Sequence, residues 1–293
     1  MPNYISAITL GGTNQSGVTG NETVPSVELS YDGRYAVFHG ALNPVTFAPQ
    51  SAFVGPSHIF LKDLATGLLS RVDPIIPSGS FSDIGATYFH PVLSADGRFI
   101  AYQSQSDDQL YLRDMLAANS VAITLASPGT GDGMAISADG RYVAFQSDAT
   151  NLVAGDGNGV SDVFLKDTLT GVTSLISLAS SGVLGNSTSF RPSISGDGKY
   201  VVFESGASNL VAETHGTSSN AGSCEEVYLR DVTANITTAV SLKTLSGPIN
   251  GSGANPAISS DGAFIVFDSG SKYVAVDTNG YSCLLYTSPS PRD

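Results

Sequence analysis

The stretch Ser195-Gly196-Asp197-Gly198-Lys199-Tyr200-Val201-Val202-Phe203 decides the fold, because the chain writes it five times. The other copies are Ser30–Phe38, Ser94–Tyr102, Ser137–Phe145 and Ser259–Phe267. Each follows an aliphatic residue (Leu29, Leu93, Ile136, Ile194, Ile258) and carries an aromatic three residues past its Asp (Tyr35, Phe99, Tyr142, Tyr200, Phe264). Ser opening a type I turn, Asp at its third position and Gly in the left-handed position that follows describe a hairpin with a G1 bulge. The strand after the turn is apolar at consecutive positions, so both of its faces must be covered.

A second signature lies downstream of each hairpin: Ile59-Phe60-Leu61-Lys62-Asp63, then Leu110–Asp114, Val163–Asp167 and Val227–Asp231. A turn follows (Thr66-Gly67, Ala118-Asn119, Thr170-Gly171, Ala234-Asn235), then a closing strand rich in Thr, Val and Ser. Each unit therefore reads as four antiparallel strands with no helical periodicity between units. Such units stack as the blades of an all-β propeller, about five in this chain. The spacings between turn Asp residues are 64, 43, 58 and 64, mostly longer than the ~40–45 residues of a WD40 blade.

The phrase Pro192–Phe203, with Asp162-Val163-Phe164-Leu165-Lys166-Asp167 and Thr170-Gly171, resembles the TolB-like (PD40, WD40-like) propeller repeats of bacterial proteins. The resemblance covers residues 4–282. It lacks the Trp often seen before the Ser and the Pro often seen after it; Tyr31, Ala95, Ala138, Gly196 and Ser260 take the latter place. Residues 1–282 are expected to form one propeller domain, possession of a larger parent propeller being the alternative. Residues 4–10 read as a strand completing the last blade. From Cys283 the repeat pattern stops, and residues 283–293 resemble translated adapter sequence, so they are expected to be non-native.

Composition narrows function by exclusion. A net charge of −13 without a Lys/Arg cluster opposes nucleic acid and anionic membranes. No apolar run reaches the ~18 residues of a spanning helix. Two cysteines, Cys224 and Cys283, give no disulfide framework. A periplasmic or secreted location is expected if a parent protein carries an export signal.

The recurrent acids read as structural. Asp32, Asp96, Asp139, Asp197 and Asp261 belong to the turns, and Asp63, Asp114, Asp167 and Asp231 end strands by bonding the backbone of the next turn. His39, His58, His90 and His215 share no repeat position and read as satisfied histidines. Nucleophile-elbow, zinc-protease and Walker patterns are missing from the sequence, and Gly129-x-Gly131-x-Gly133 precedes a strand rather than a helix. The one candidate metal loop is Asp156-Gly157-Asn158-Gly159-Val160-Ser161-Asp162, whose oxygen side chains at Asp156, Asn158 and Asp162 suit Ca²⁺. No other cofactor is expected.

Short turns fall on one face of the disc; the loops between second and third strands, roughly 17 to 23 residues in the first, third and fourth units, fall on the other with the inter-blade linkers. Variable loops on a rigid scaffold carry recognition. The expected role is a non-enzymatic binding or scaffold module that takes a protein or small ligand on the long-loop face. The alternative is the propeller of a hydrolase or lyase, with a site in the axial channel or a catalytic domain elsewhere.

Overall fold

The computed structural model describes residues 27–40, 58–73, 88–104, 109–117, 120–122, 133–212, 225–241, 253–269 and 283–287. Every element among them is a strand. Blade 1 is β1 (Val27–Leu29), β2 (Tyr35–Gly40), β3 (His58–Asp63) and β4 (Leu69–Arg71). Blade 2 is β5 (Tyr88–Leu93), β6 (Phe99–Ser104), β7 (Gln109–Asp114) and β8 (Ser120–Ala122). Blade 3 is β9 (Met134–Ile136), β10 (Tyr142–Ser147), β11 (Asp162–Asp167) and β12 (Thr173–Leu175). Blade 4 is β13 (Ser189–Ile194), β14 (Tyr200–Ser205), β15 (Glu226–Asp231) and β16 (Ile236–Ala239). Blade 5 is β17 (Gly253–Ile258), β18 (Ile265–Ser269) and β19 (Cys283–Thr287). Each sheet is an antiparallel meander in chain order, and the first strands of successive blades lie side by side.

The Ser-x-Asp-Gly turn is built as its residues require. In every copy the Ser hydroxyl donates to the Asp carboxylate (2.6–2.8 Å) and accepts the amide of the aromatic (2.8–3.0 Å). The same Asp accepts the amide two residues on. The turn glycines sit at φ between 68° and 75°. Where the residue after the Gly is Arg, its guanidinium stacks on the aromatic and pairs with the Asp that ends the third strand: Arg34–Asp63, Arg98–Asp114 and Arg141–Asp167. These arginines hold Asp63 and Asp114 at about 2, and Asp167 lower still. Lys199 pairs instead with Asp197 of its own turn.

Two contacts join one blade to the next at these turns. The residue after each Ser hydrogen-bonds its counterpart in the following blade: Tyr31 N–H to Ala95, Ala95 to Ala138, Ala138 to Gly196 and Gly196 to Ser260. The aromatic of each turn also lies against the next turn's glycine. A methyl group on Gly97 or Gly262 would stand 2.5 or 2.8 Å from the ring of Tyr35 or Tyr200, and on Gly140 or Gly198 it would overlap Phe99 or Tyr142.

The core follows from strands covered on both faces. Val37, Ile59 and Leu61 of blade 1 meet Ile100 and Tyr102 of blade 2. Ala101 and Leu110 meet Phe145 and Phe164, then Ala144, Val163 and Leu165 meet Phe203 and Tyr228. Val202, Val227 and Leu229 meet Ile265 and Phe267. Blades 2 to 4 thus each show an aromatic pair to the blade before, stacked at 5.7–5.8 Å. Each fully buried side chain of this size contributes about 2–3 kcal/mol. At the ends of the series these halves stay unmet among the described residues: nothing lies within 4 Å of a methyl on Gly33, Phe264 is 40% exposed, and Leu29 is 55% exposed where Leu93 is 8%.

The expected outer strand at residues 4–10 lies outside the described residues. Cys283–Thr287, set apart in sequence, pairs as the third strand of blade 5, from Ser269 opposite Cys283 to Ile265 opposite Thr287. That register repeats Ser205 opposite Glu226 and Ser147 opposite Asp162. Main-chain pairing specifies no side chain, so the strand forms without the repeat's own sequence.

The two demands on the turn glycines are separable. Gly33→Ala is expected to lose about 1–2 kcal/mol for the left-handed backbone alone. Gly140→Ala adds the clash with Phe99 and is expected to lose about 2–5 kcal/mol in urea unfolding; equal losses would show that the ring contact carries no energy.

Candidate functional site

The polar features gather where the first strands meet the long-loop face. Four residues before the turn Ser, the first strands of blades 2, 4 and 5 carry His90, Arg191 and Asn255, with φ of 49°, 48° and 51°. Each precedes a proline (Pro91, Pro192, Pro256) and sits at a register shift in its sheet. A left-handed non-glycine residue costs about 1–3 kcal/mol and persists only where surrounding contacts enforce it.

Here the contacts come from the preceding blade. The Arg191 amide donates to Gln146 Oε1 (3.2 Å) and the Asn255 amide to Glu204 Oε1 (2.6 Å). Gln146 and Glu204 occupy one repeat position, directly after the strand-two aromatic, which His39, Gln103 and Asp268 fill elsewhere. His39 lies near His90, and burial and that neighbour lower its pKa. Arg191 also pairs with Glu204 (3.3 Å), the guanidinium 43% exposed and the carboxylate fully buried. Burial raises Glu204 against the opposing pull of the Asn255 amide and Arg191. The Asn255 side-chain amide donates to Asp268 Oδ2 (2.9 Å). A cavity of about 300 Å³ opens between blades 4 and 5, lined by Arg191, Pro192, Asn255 and Pro256. It presents a half-exposed cation and an amide above the buried Glu204, which suits a hydrogen-bonding or anionic group rather than covalent chemistry.

A second polar row starts the third strands. His58 meets Asp73, Asp162 meets Ser177 and Glu226 meets Ser241, each pair fifteen residues apart. In each, the later residue also accepts the next backbone amide, from Ile59, Val163 or Val227. The device pins the fourth strand's end onto the third. His58 is buried with Asp73 and Arg71, its Nδ1 2.9 Å from Asp73 Oδ2, and the ring has no open substrate face. Desolvation lifts Glu226, only 2% exposed, to about 7 against the pull of Ser241.

The calcium candidates lie at the blade 3 member of this row, Asp162. Asn158 Nδ2 donates to Asp162 Oδ2 (2.7 Å) and to the Gly185 carbonyl (3.2 Å), and Asn158 Oδ1 accepts the Val160 amide. Asp162 is fully buried and accepts Ser177 Oγ at 2.6 Å. Burial raises Asp162, and the charge of nearby Asp156 adds to it. The described residues contain no group of three His, Cys, Asp or Glu side chains placed to hold a metal.

Neither polar row was found from sequence. The left-handed position had a signal, the dipeptides His90-Pro91, Arg191-Pro192 and Asn255-Pro256 at one repeat offset. The pinned pairs change identity from blade to blade, and only their constant separation marks them.

Among solved structures the chain is similar to TolB from Acinetobacter baumannii, at 16% identity and a TM-score of 0.50, covering 88% of this chain and 51% of that one. A TolB from Agrobacterium tumefaciens matches at 14% identity and 0.51, covering 90% and 76%. The tricorn protease matches at 13% identity and 0.54, covering 89% of this chain and 25% of that one. The chain thus spans about half of one TolB and three quarters of the other. No protein-family model and no curated protein matches it. At these identities the likeness establishes a TolB-like β-propeller fold.

Glu226 makes stability depend on pH in a defined direction. Its folded pKa of about 7 lies above the ordinary 4.5, so the burden is nil below that lower value, grows as pH rises from there to about 7, and is constant above. Glu226→Gln is expected to remove a loss on the order of 3 kcal/mol at pH 8 while leaving pH 4 stability little changed. Denaturant melts across this range check it; an equal effect at both ends would show that the carboxyl does not titrate there.

Proposed function

We propose that this propeller is a non-covalent recognition module that takes a polypeptide segment at the axial mouth of its long-loop face. The observation that carries the reading is the repeated left-handed residue, His90, Arg191 and Asn255, held at the last two by an amide bond to the blade before. Strain kept in several blades at one place supports a fixed display of side chains. Arg191 and Asn255 beside the cavity suit a carboxylate or a run of main-chain carbonyls.

An enzymatic reading, a propeller attached to a catalytic domain, draws on the likeness to the tricorn protease, of which this chain spans a quarter. Among the described residues the mouth offers no nucleophile with a base in reach, and the buried His58–Asp73 pair faces strand backbone. The binding reading is therefore the one these side chains favour.

Selection of random-peptide phage on the immobilised chain tests it. Arg191→Asn removes the guanidinium yet tolerates the left-handed backbone, and is expected to weaken selected peptides at least ten-fold. Leu169→Ser, on the turn face, is expected to change nothing. Peptides sensitive to Leu169 and indifferent to Arg191 would place recognition on the opposite face.

A further inference from the structure

The loop between β10 and β11 collects negative charge without an answering cation. Between Arg141 and Lys166 the chain has Asp148, Asp156 and Asp162 and no Lys, Arg or His. Two of these acids are removed from water, Asp162 fully and Asp156 to 9% exposure. Their hydrogen bonding is unequal. Asp162 is served by Ser177 on one oxygen and by Asn158 on the other. Asp156 Oδ1 is buried with no hydrogen-bond partner among the described residues. A carboxylate left so is unstable unless a proton or a cation joins it.

The surrounding atoms favour a cation. Asn158 Nδ2 lies 2.7 Å from Asp162 Oδ2 and 3.2 Å from the Gly185 carbonyl, so an electropositive group already stands where two oxygens converge. A turn of that amide would add a third oxygen to the same place. All the donors are oxygens, the set a hard cation takes.

We propose that Asp156, Asn158 and Asp162 form a Ca²⁺ site, completed by loop carbonyls and water. With only two carboxylates its affinity falls in the weak range of extracellular modules, about 10⁻⁴–10⁻³ M. The ion would tie the long loop of blade 3 to the Gly185 linker entering blade 4, and so stiffen the long-loop face independently of what that face binds.

Calorimetric titration of the EDTA-treated chain with CaCl₂, and melting in 10 mM CaCl₂ or MgCl₂, test the site. Saturable heat is expected with Ca²⁺, and a rise in melting temperature of roughly 3–10 °C that Mg²⁺ does not reproduce. Asp156→Asn is expected to weaken Ca²⁺ binding at least ten-fold, and Asp148→Asn, an exposed acid of the same loop, to leave it intact. Asn158→Asp, adding a third carboxylate, is expected to tighten it, which keeps the test open should Asp156→Asn fail to fold. No heat and no shift in the wild-type chain would overturn the proposal. So would an Asp156→Asn variant that melts higher than wild type whether or not Ca²⁺ is added, since Asp156 would then be a buried acid relieved by neutralisation.

Discussion

The contact on which the rest of the molecule depends is that between a turn glycine and the aromatic of the blade before it. The left-handed φ of Gly97, Gly140, Gly198 and Gly262 explains a glycine in the hairpin, but so would it at Gly33, where no described residue comes within 4 Å of an added methyl. What distinguishes the inner turns is the ring of Tyr35, Phe99, Tyr142 or Tyr200 seated where a side chain would be. The hydrogen bonds from Tyr31 through Ala95, Ala138 and Gly196 to Ser260 run beside these contacts. Local hairpin chemistry and blade-to-blade registration are therefore carried by the same few residues, and stability should accumulate blade by blade through nearest-neighbour interfaces.

That registration makes the opposite face usable. With the turns fixed, strand two of blades 3 and 4 delivers its residue after the aromatic to the next blade's first strand, and Gln146 and Glu204 can hold Arg191 and Asn255 in left-handed backbone. The third-strand pins, from Asp73, Ser177 and Ser241, anchor the roots of the long loops. Buried acids recur there, Asp162, Glu204 and Glu226 among them, each with its pKa raised by loss of water. This face stores electrostatic and backbone strain, while the turn face, with Asp63 and Asp114 held low by arginine, relaxes it.

The blades were legible in the sequence because turn chemistry leaves little choice of residue: Ser, Asp and Gly each answer a separate backbone demand, and all five copies fold as read. The pairing of Arg34, Arg98 and Arg141 with strand-ending acids was not legible, since each Asp already had a sufficient role in its own turn. The mouth was hidden for a different reason. A residue before proline in a strand reads as extended, and only the register shifts show that His90, Arg191 and Asn255 turn the other way. In the candidate calcium loop the sequence named Asp156, Asn158 and Asp162; it could not show that Asn158 presents its nitrogen to Asp162, nor that Asp156 Oδ1 has no hydrogen-bond partner among the described residues.

Native-state hydrogen exchange on the turn amides tests most directly whether the blades are joined there. The amides of Ala95, Ala138 and Gly196 are predicted to open only with the strands of their own and the neighbouring blade, at the free energy of β6, β10 and β14. Exchange at the rate of exposed turn amides, with those strands still protected, would contradict the account and show that each blade stands without the turn contact.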